Sequence, residues 1–156
     1  MTGTLFLFVY WPSFNGGLSK GSSQYRAIIN TYLSITSSVI SAIIVSRIMK
    51  GRKLEMEIIL NASLAGGVVM GCNAELIGKA YGAMLAGFVT GAVSSFSFAV
   101  VGPYLRNKIN LHDTCGVLSL HGIPGFIGGI ISAIMVSRGD IVFGSNYRTY
   151  FYPQTY

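Results

Sequence analysis

Residues 111–129 read LHDTCGVLSLHGIPGFIGG. The stretch opens polar, with His112, Asp113 and Thr114. It then runs apolar to Met135, broken only by Ser119, His121 and Ser132. A helix starting near Asp113 puts His121 about 12 Å along its axis, at about 1.5 Å per residue. Against a hydrocarbon core about 30 Å thick, that is well below the surface. An ionisable side chain in such a place is costly and by default marks a pathway or a relay. It can also be a histidine that bonds a neighbouring helix, and the residues alone leave both open.

Around His121 stand Gly122, Pro124, Gly125, Gly128 and Gly129. Pro124 has no amide hydrogen for the Leu120 carbonyl. Freed carbonyls at membrane depth persist where protein or a water-filled cavity satisfies them. The spacing of Gly125 and Gly129 is a small-xxx-small pattern, which predicts close approach of another helix.

Composition agrees with a membrane segment. Of 156 residues, 51% are apolar and 10% charged, and the mean hydropathy is +0.57, the balance of a multi-span membrane protein. The net charge of +6 is scattered except for RIMKGRK at 47–53. That cluster between two apolar runs is a cytoplasmic-loop signature, not a nucleic-acid-binding stripe. Cys72 and Cys115 are expected at opposite membrane faces, which argues against a disulfide. No second pair with zinc-ligand spacing accompanies Cys115 and His112, so no metal or cofactor is expected. Met1 leads almost directly into an apolar run without a basic leader, so no cleavable signal peptide is expected.

The fold class these patterns predict is all-α, a polytopic transmembrane helix bundle with four full spans and one partial. Residues 1–14, MTGTLFLFVYWPSF, are apolar but too short to cross. They read as the second half of a helix, and the chain as a fragment or a truncated gene product. Tyr10 and Trp11 suit an interfacial belt. Pro12 and Asn15-Gly16-Gly17 are expected to end the helix. The full spans are Ala27 to Met49, Met56 to Ala74, Ala80 to about Leu105 and Asp113 to Ser137. Pro103 and Tyr104 close the third of these, and Gly87 and Gly91 form a close-packing pair. Residues 1–137 make the transmembrane domain, and 138–156 a polar and aromatic tail. The basic loop sets 50–53, Arg106 and Lys108 inside, with Phe14, Asn15 and Glu75 outside. Asp113 then caps the inner end of the last helix.

A family resemblance runs along most of this length. GTLFLF-x-YWPSFN, R-A-x-INTY, NASLAGGV followed by GCNAEL, YGAMLAGFV, HDTCG and LHGIPG resemble, in order, motifs of the Rhesus (Rh) glycoprotein branch of the ammonium transporter family. The resemblance implies trimers of helical pores, each subunit built from two five-helix halves of inverted topology. This chain resembles the second half. By the same resemblance His121 is the second of two pore histidines and Phe14 the second phenylalanine of the outer gate. Asp113 is a structural acid, and Trp11 and Asn15 flank the gate.

The implied activity is conduction of ammonium or ammonia, with passage of carbon dioxide also compatible with an apolar lumen. The implied setting is the lipid bilayer of the plasma membrane, as a homotrimer or a hetero-oligomer with other Rh proteins. Leu18 stands where many bacterial relatives carry a serine, which implies no high-affinity outer site. The rival is a non-conducting Rh-fold scaffold subunit. Enzyme chemistry finds no nucleophile–base pair on one face. On a helix beginning at Asp113, with about 100° per residue, His112 falls half a turn and Cys115 about 240° out of phase with His121.

Overall fold

The computed structural model describes residues 1–49 and 54–138. Residues 50–53 of the basic loop and 139–156, most of the expected tail, lie outside the described residues. Five helical elements follow one another. They are α1 (Thr2–Gly16), α2 (Ser22–Met49), α3 (Met56–Val69), α4 (Ala80–Ile109) and α5 (Leu118–Ser137). Among the described residues there is no strand.

Helix α2 is the hub. Its buried face is hydroxylic: Thr31, Ser34, Ser38 and Ser41 are all 0% exposed. The Ser34 hydroxyl donates to the Gly66 carbonyl at 2.7 Å, and Ser38 to Ala62 at 2.8 Å. Gly66 on α3 and Gly87 and Gly91 on α4 let the backbones meet there. A Cβ on any of them would strike Ser34 or Ser38. In a bilayer, where apolar surface gives no drive to pair, such small residues and interhelical hydrogen bonds hold helices together. The large aliphatics Ile40, Ile43, Ile44 and Ile48 point outward instead. The Gly87–Gly91 expectation therefore holds, with α2 as its partner.

Among the described residues, only α2, α4 and α5 are long and apolar enough to cross a membrane, not four elements. The difference lies in α3. It has 14 residues, about 21 Å of rise, and does not continue to Ala74. At Met70 the regular ladder gives way to turns, with the Gly71 amide on Val68 and the Asn73 amide on Met70. The Asn73 side chain takes up the carbonyl of Val69 at 2.7 Å, so the helix can stop inside the protein.

Two prolines were expected to terminate helices and do not. Pro12 lies within α1, which ends at Gly16, inside the Asn15-Gly16-Gly17 run that was also expected to stop it. Pro103 lies within α4, which runs past Leu105 to Ile109. Just before Pro103 the helix widens into a π segment, Ser97–Val101. Such a bulge already departs from the i−4 bonding that proline disrupts. The true stop is Asn110, left-handed at φ 54°, whose amide bonds Leu105.

Helix α5 begins at Leu118, later than the expected Asp113. Residues 113–116 form a turn closed by the Gly116 amide on the Asp113 carbonyl at 3.2 Å. Gly116 has φ +65°, and a Cβ there would run into the Phe98 ring of α4. Both constraints favour glycine. Among the described residues nothing lies within 4 Å of a Cβ at Gly125 or Gly129, so no helix of this chain closes on that pair. Gly128 packs instead, where an added Cβ would sit 3.1 Å from the Val69 carbonyl oxygen.

Candidate functional site

A cavity of about 490 Å³ opens between α1, α3 and the start of α5. Trp11, Phe14, Asn15 and His121 all line it. Leu7, Leu64, Gly67, Val68, Gly71 and Leu120 complete its wall. Four of the five residues singled out in the sequence thus meet in one place, although they come from both ends of the chain. Asp113 does not belong to it.

Each of the four is held differently. Asn15 is half-buried and works as a tether. Its amide donates to the Thr31 hydroxyl at 3.2 Å and to the Gly67 carbonyl at 3.1 Å, joining α1 to α2 and α3. Trp11 lies against α3 at Gly67, where a Cβ would sit 2.6 Å from the indole Cε2 and Nε1. It is therefore part of the cavity wall. Tyr10, the other aromatic expected at the interface, is 58% exposed and stacks on Phe6. Phe14 is 73% exposed at the far end of α1.

His121 occupies the first turn of α5, the π segment Leu118–Gly122. It is about 4.5 Å along the helix, not about 12 Å, because α5 starts five residues later than expected. Its side chain is exposed on the cavity, not buried among helices. His112 and Cys115 precede α5, so their helical phase relative to His121 no longer applies. Both are exposed, and Cys115 and Cys72 are free thiols.

Asp113 sits where a helix-capping acid belongs. Its two carboxylate oxygens accept from the amides of Val117 and Leu118, each at 2.8 Å. A carboxylate on two first-turn amides satisfies orphan donors and complements the helix dipole. It also lines a second cavity of about 190 Å³, together with Glu57, Arg106, Thr114 and Ser119. A third, of about 370 Å³, adjoins the first through Asn15 and Gly71 and includes Cys72 and Glu75. Ser19 donates to the Glu75 carboxylate there, tying the α1–α2 loop to the turns that follow α3.

The sequence offered no signal for Leu7, Leu64 or Val68, since an apolar wall residue looks like any lipid-facing one. It also passed over the serines that brace the His121 turn. The Ser94 hydroxyl donates to the Ser119 carbonyl at 2.8 Å, and the Ser97 and Ser119 hydroxyls are 2.7 Å apart. Among the described residues, no group of three or more His, Cys, Asp or Glu side chains is placed to hold a metal ion.

The fold and cavity define a multi-pass α-helical membrane protein whose wall carries a histidine and two aromatics. The chain belongs to the Ammonium Transporter Family, whose model matches residues 1–155. It is 50% identical over 136 residues to the ammonium transporter Rh type C of Xenopus laevis, a match covering 86% of this chain and 29% of that protein. To the Homo sapiens Rh type C protein it is 46% identical over 143 residues, covering 90% and 30% respectively. A solved structure of Nitrosomonas europaea Rh50 superposes with a TM-score of 0.83 at 32% identity, covering 85% of this chain and 35% of that one. The chain thus spans less than a third of the length of these curated relatives.

Proposed function

We propose that the cavity is one side of a conduction path for ammonium or ammonia, completed by a complementary half that this chain does not contain. The observation that carries this reading is the convergence of Trp11, Phe14, Asn15 and His121 on one cavity. Phe14 and Trp11 line it, and cation–π attraction to such rings offsets part of an ammonium ion's lost hydration. Moving the intact cation through an apolar lumen is expensive, and releasing its proton first removes that cost. His121 then offers ring nitrogens as a polar contact in a mostly apolar wall, with one donor and one acceptor when neutral. Asp113 acts at a distance, by anchoring the turn that carries the histidine. The setting is the plasma membrane, and the assembly a trimer of such subunits or an Rh hetero-oligomer.

The test is a chimera in which this chain replaces its matching segment of the Xenopus laevis Rh type C protein. Methylammonium uptake above that of mock-transfected cells, normalised to surface expression, is expected. A chimera that reaches the surface and shows no uptake overturns the reading in favour of a scaffold.

A further inference from the structure

The first turn of α5 is a wall between two cavities. Ser119 lines the one of about 190 Å³, and Leu120 and His121 line the one of about 490 Å³. The shape of this turn therefore decides where the histidine stands. It is a π turn, in which the Ile123 amide reaches five residues back, to the Leu118 carbonyl.

Proline at 124 has a specific consequence in that register. The next carbonyl in the series belongs to Ser119, and its donor would be the amide of residue 124, which a proline lacks. In an α register Pro124 would orphan Leu120 instead, on the side of the larger cavity. The wide register thus sets the Ser119 carbonyl opposite the missing amide. Ser119 is only 3% exposed, so no solvent reaches it readily. A buried carbonyl without a donor is costly.

Ser94 of α4 meets that need. It is 0% exposed, and its hydroxyl lies 2.8 Å from the Ser119 carbonyl. Ser97, 1% exposed, adds a bond between hydroxyls. We propose that Ser94 is a positioning residue for His121: its hydroxyl replaces the amide that Pro124 lacks and holds the turn in the π register. The consequence for flux rests on the conduction reading above; the register itself does not.

The test uses the full chain in lipid nanodiscs and hydrogen exchange read by mass spectrometry on peptides covering 118–123. Ser94→Ala is expected to speed exchange there by about tenfold, as the turn loses its external donor. Ser94→Thr, which keeps a hydroxyl, should stay within about twofold. The deciding variant is Ser94→Ala combined with Pro124→Ala. It restores an amide at 124, and exchange should return to within about twofold of the parent. Loss of packing volume at Ser94 would not be repaired by a change at 124. If Ser94→Ala does not fold, Ser94→Cys, a near-isosteric weak donor, takes its place with the same requirement for suppression. Unchanged exchange in the single variant, or a double variant as fast as the single, overturns the proposal. In the chimera, flux should fall with Ser94→Ala and recover with Pro124→Ala. A chimera that conducts nothing refutes the conduction reading and leaves the exchange result standing.

Discussion

The side-chain amide of Asn73 donates to the Gly128 carbonyl at 2.9 Å, tying the broken end of α3 to the middle of α5. The same nitrogen serves the Val69 carbonyl at 2.7 Å. One buried side chain therefore both terminates α3 and docks the helix that carries His121. Asn73→Ala leaves both carbonyls without that donor, and each unpaired buried group costs about 1–3 kcal/mol. The apparent midpoint of thermal unfolding in detergent is expected to fall by about 5 °C or more. A midpoint equal to that of the parent would show that water replaces the side chain.

Trp11 is the one tryptophan in the sequence, so intrinsic fluorescence reports on the cavity wall directly. Gly67→Ala puts a methyl against the indole and is expected to displace it, at about 1–3 kcal/mol of overpacking. The emission maximum should shift. Gly125→Ala is the control, because nothing lies within 4 Å of its Cβ, and it should leave the spectrum in place.

Asp113→Ala removes the carboxylate from the amides of Val117 and Leu118. Loss of such a cap costs about 0.5–2 kcal/mol. Hydrogen exchange at those two amides should rise, with little change in α2. An increase spread evenly over the chain would instead mean that Asp113 supports the whole bundle.

His121→Ala, made in the chimera, is expected to lower methylammonium uptake at unchanged surface expression, since the wall loses its imidazole. His112→Ala is the comparison, since that side chain is exposed on the segment before α5 and does not line the larger cavity. Equal effects of the two substitutions, or a loss confined to His112→Ala, would remove His121 from the path.

With Cys72 and Cys115 replaced by serine, single cysteines introduced at Arg106 or Lys108, or at 50–53, should be labelled by a membrane-impermeant thiol reagent only from the cytoplasmic side. Residues 50–53 follow α2, and Arg106 and Lys108 lie in the last turn of α4, so the two positions share a side only if α3 and the turns after it carry the chain across as α4 does; basic residues are retained inside. Labelling of both from outside inverts the assignment, and labelling of 106 or 108 alone from outside would mean that the α3 segment does not carry the chain across.

The sequence by itself determined that this chain is helical and lies in a membrane. Hydropathy and the scarcity of charge act locally along each segment, and a run such as Ala27 to Met49 reads the same in any neighbourhood. Motif order was sufficient for the family as well. Helix ends were decided elsewhere. Pro103 looked like a stop, but the π segment before it let α4 continue to Ile109. α3 looked long enough to cross, but it ends at Val69, where Asn73 supplies the bond that the helix gives up. The start of α5 moved for a similar reason, because Gly116 turns the chain against Phe98. Only the tertiary structure brought Phe14 and His121 to one cavity and set Ser94 against Ser119, 25 residues away. The physical reason is that a buried backbone group must find a partner, and here the partner sits on a different helix.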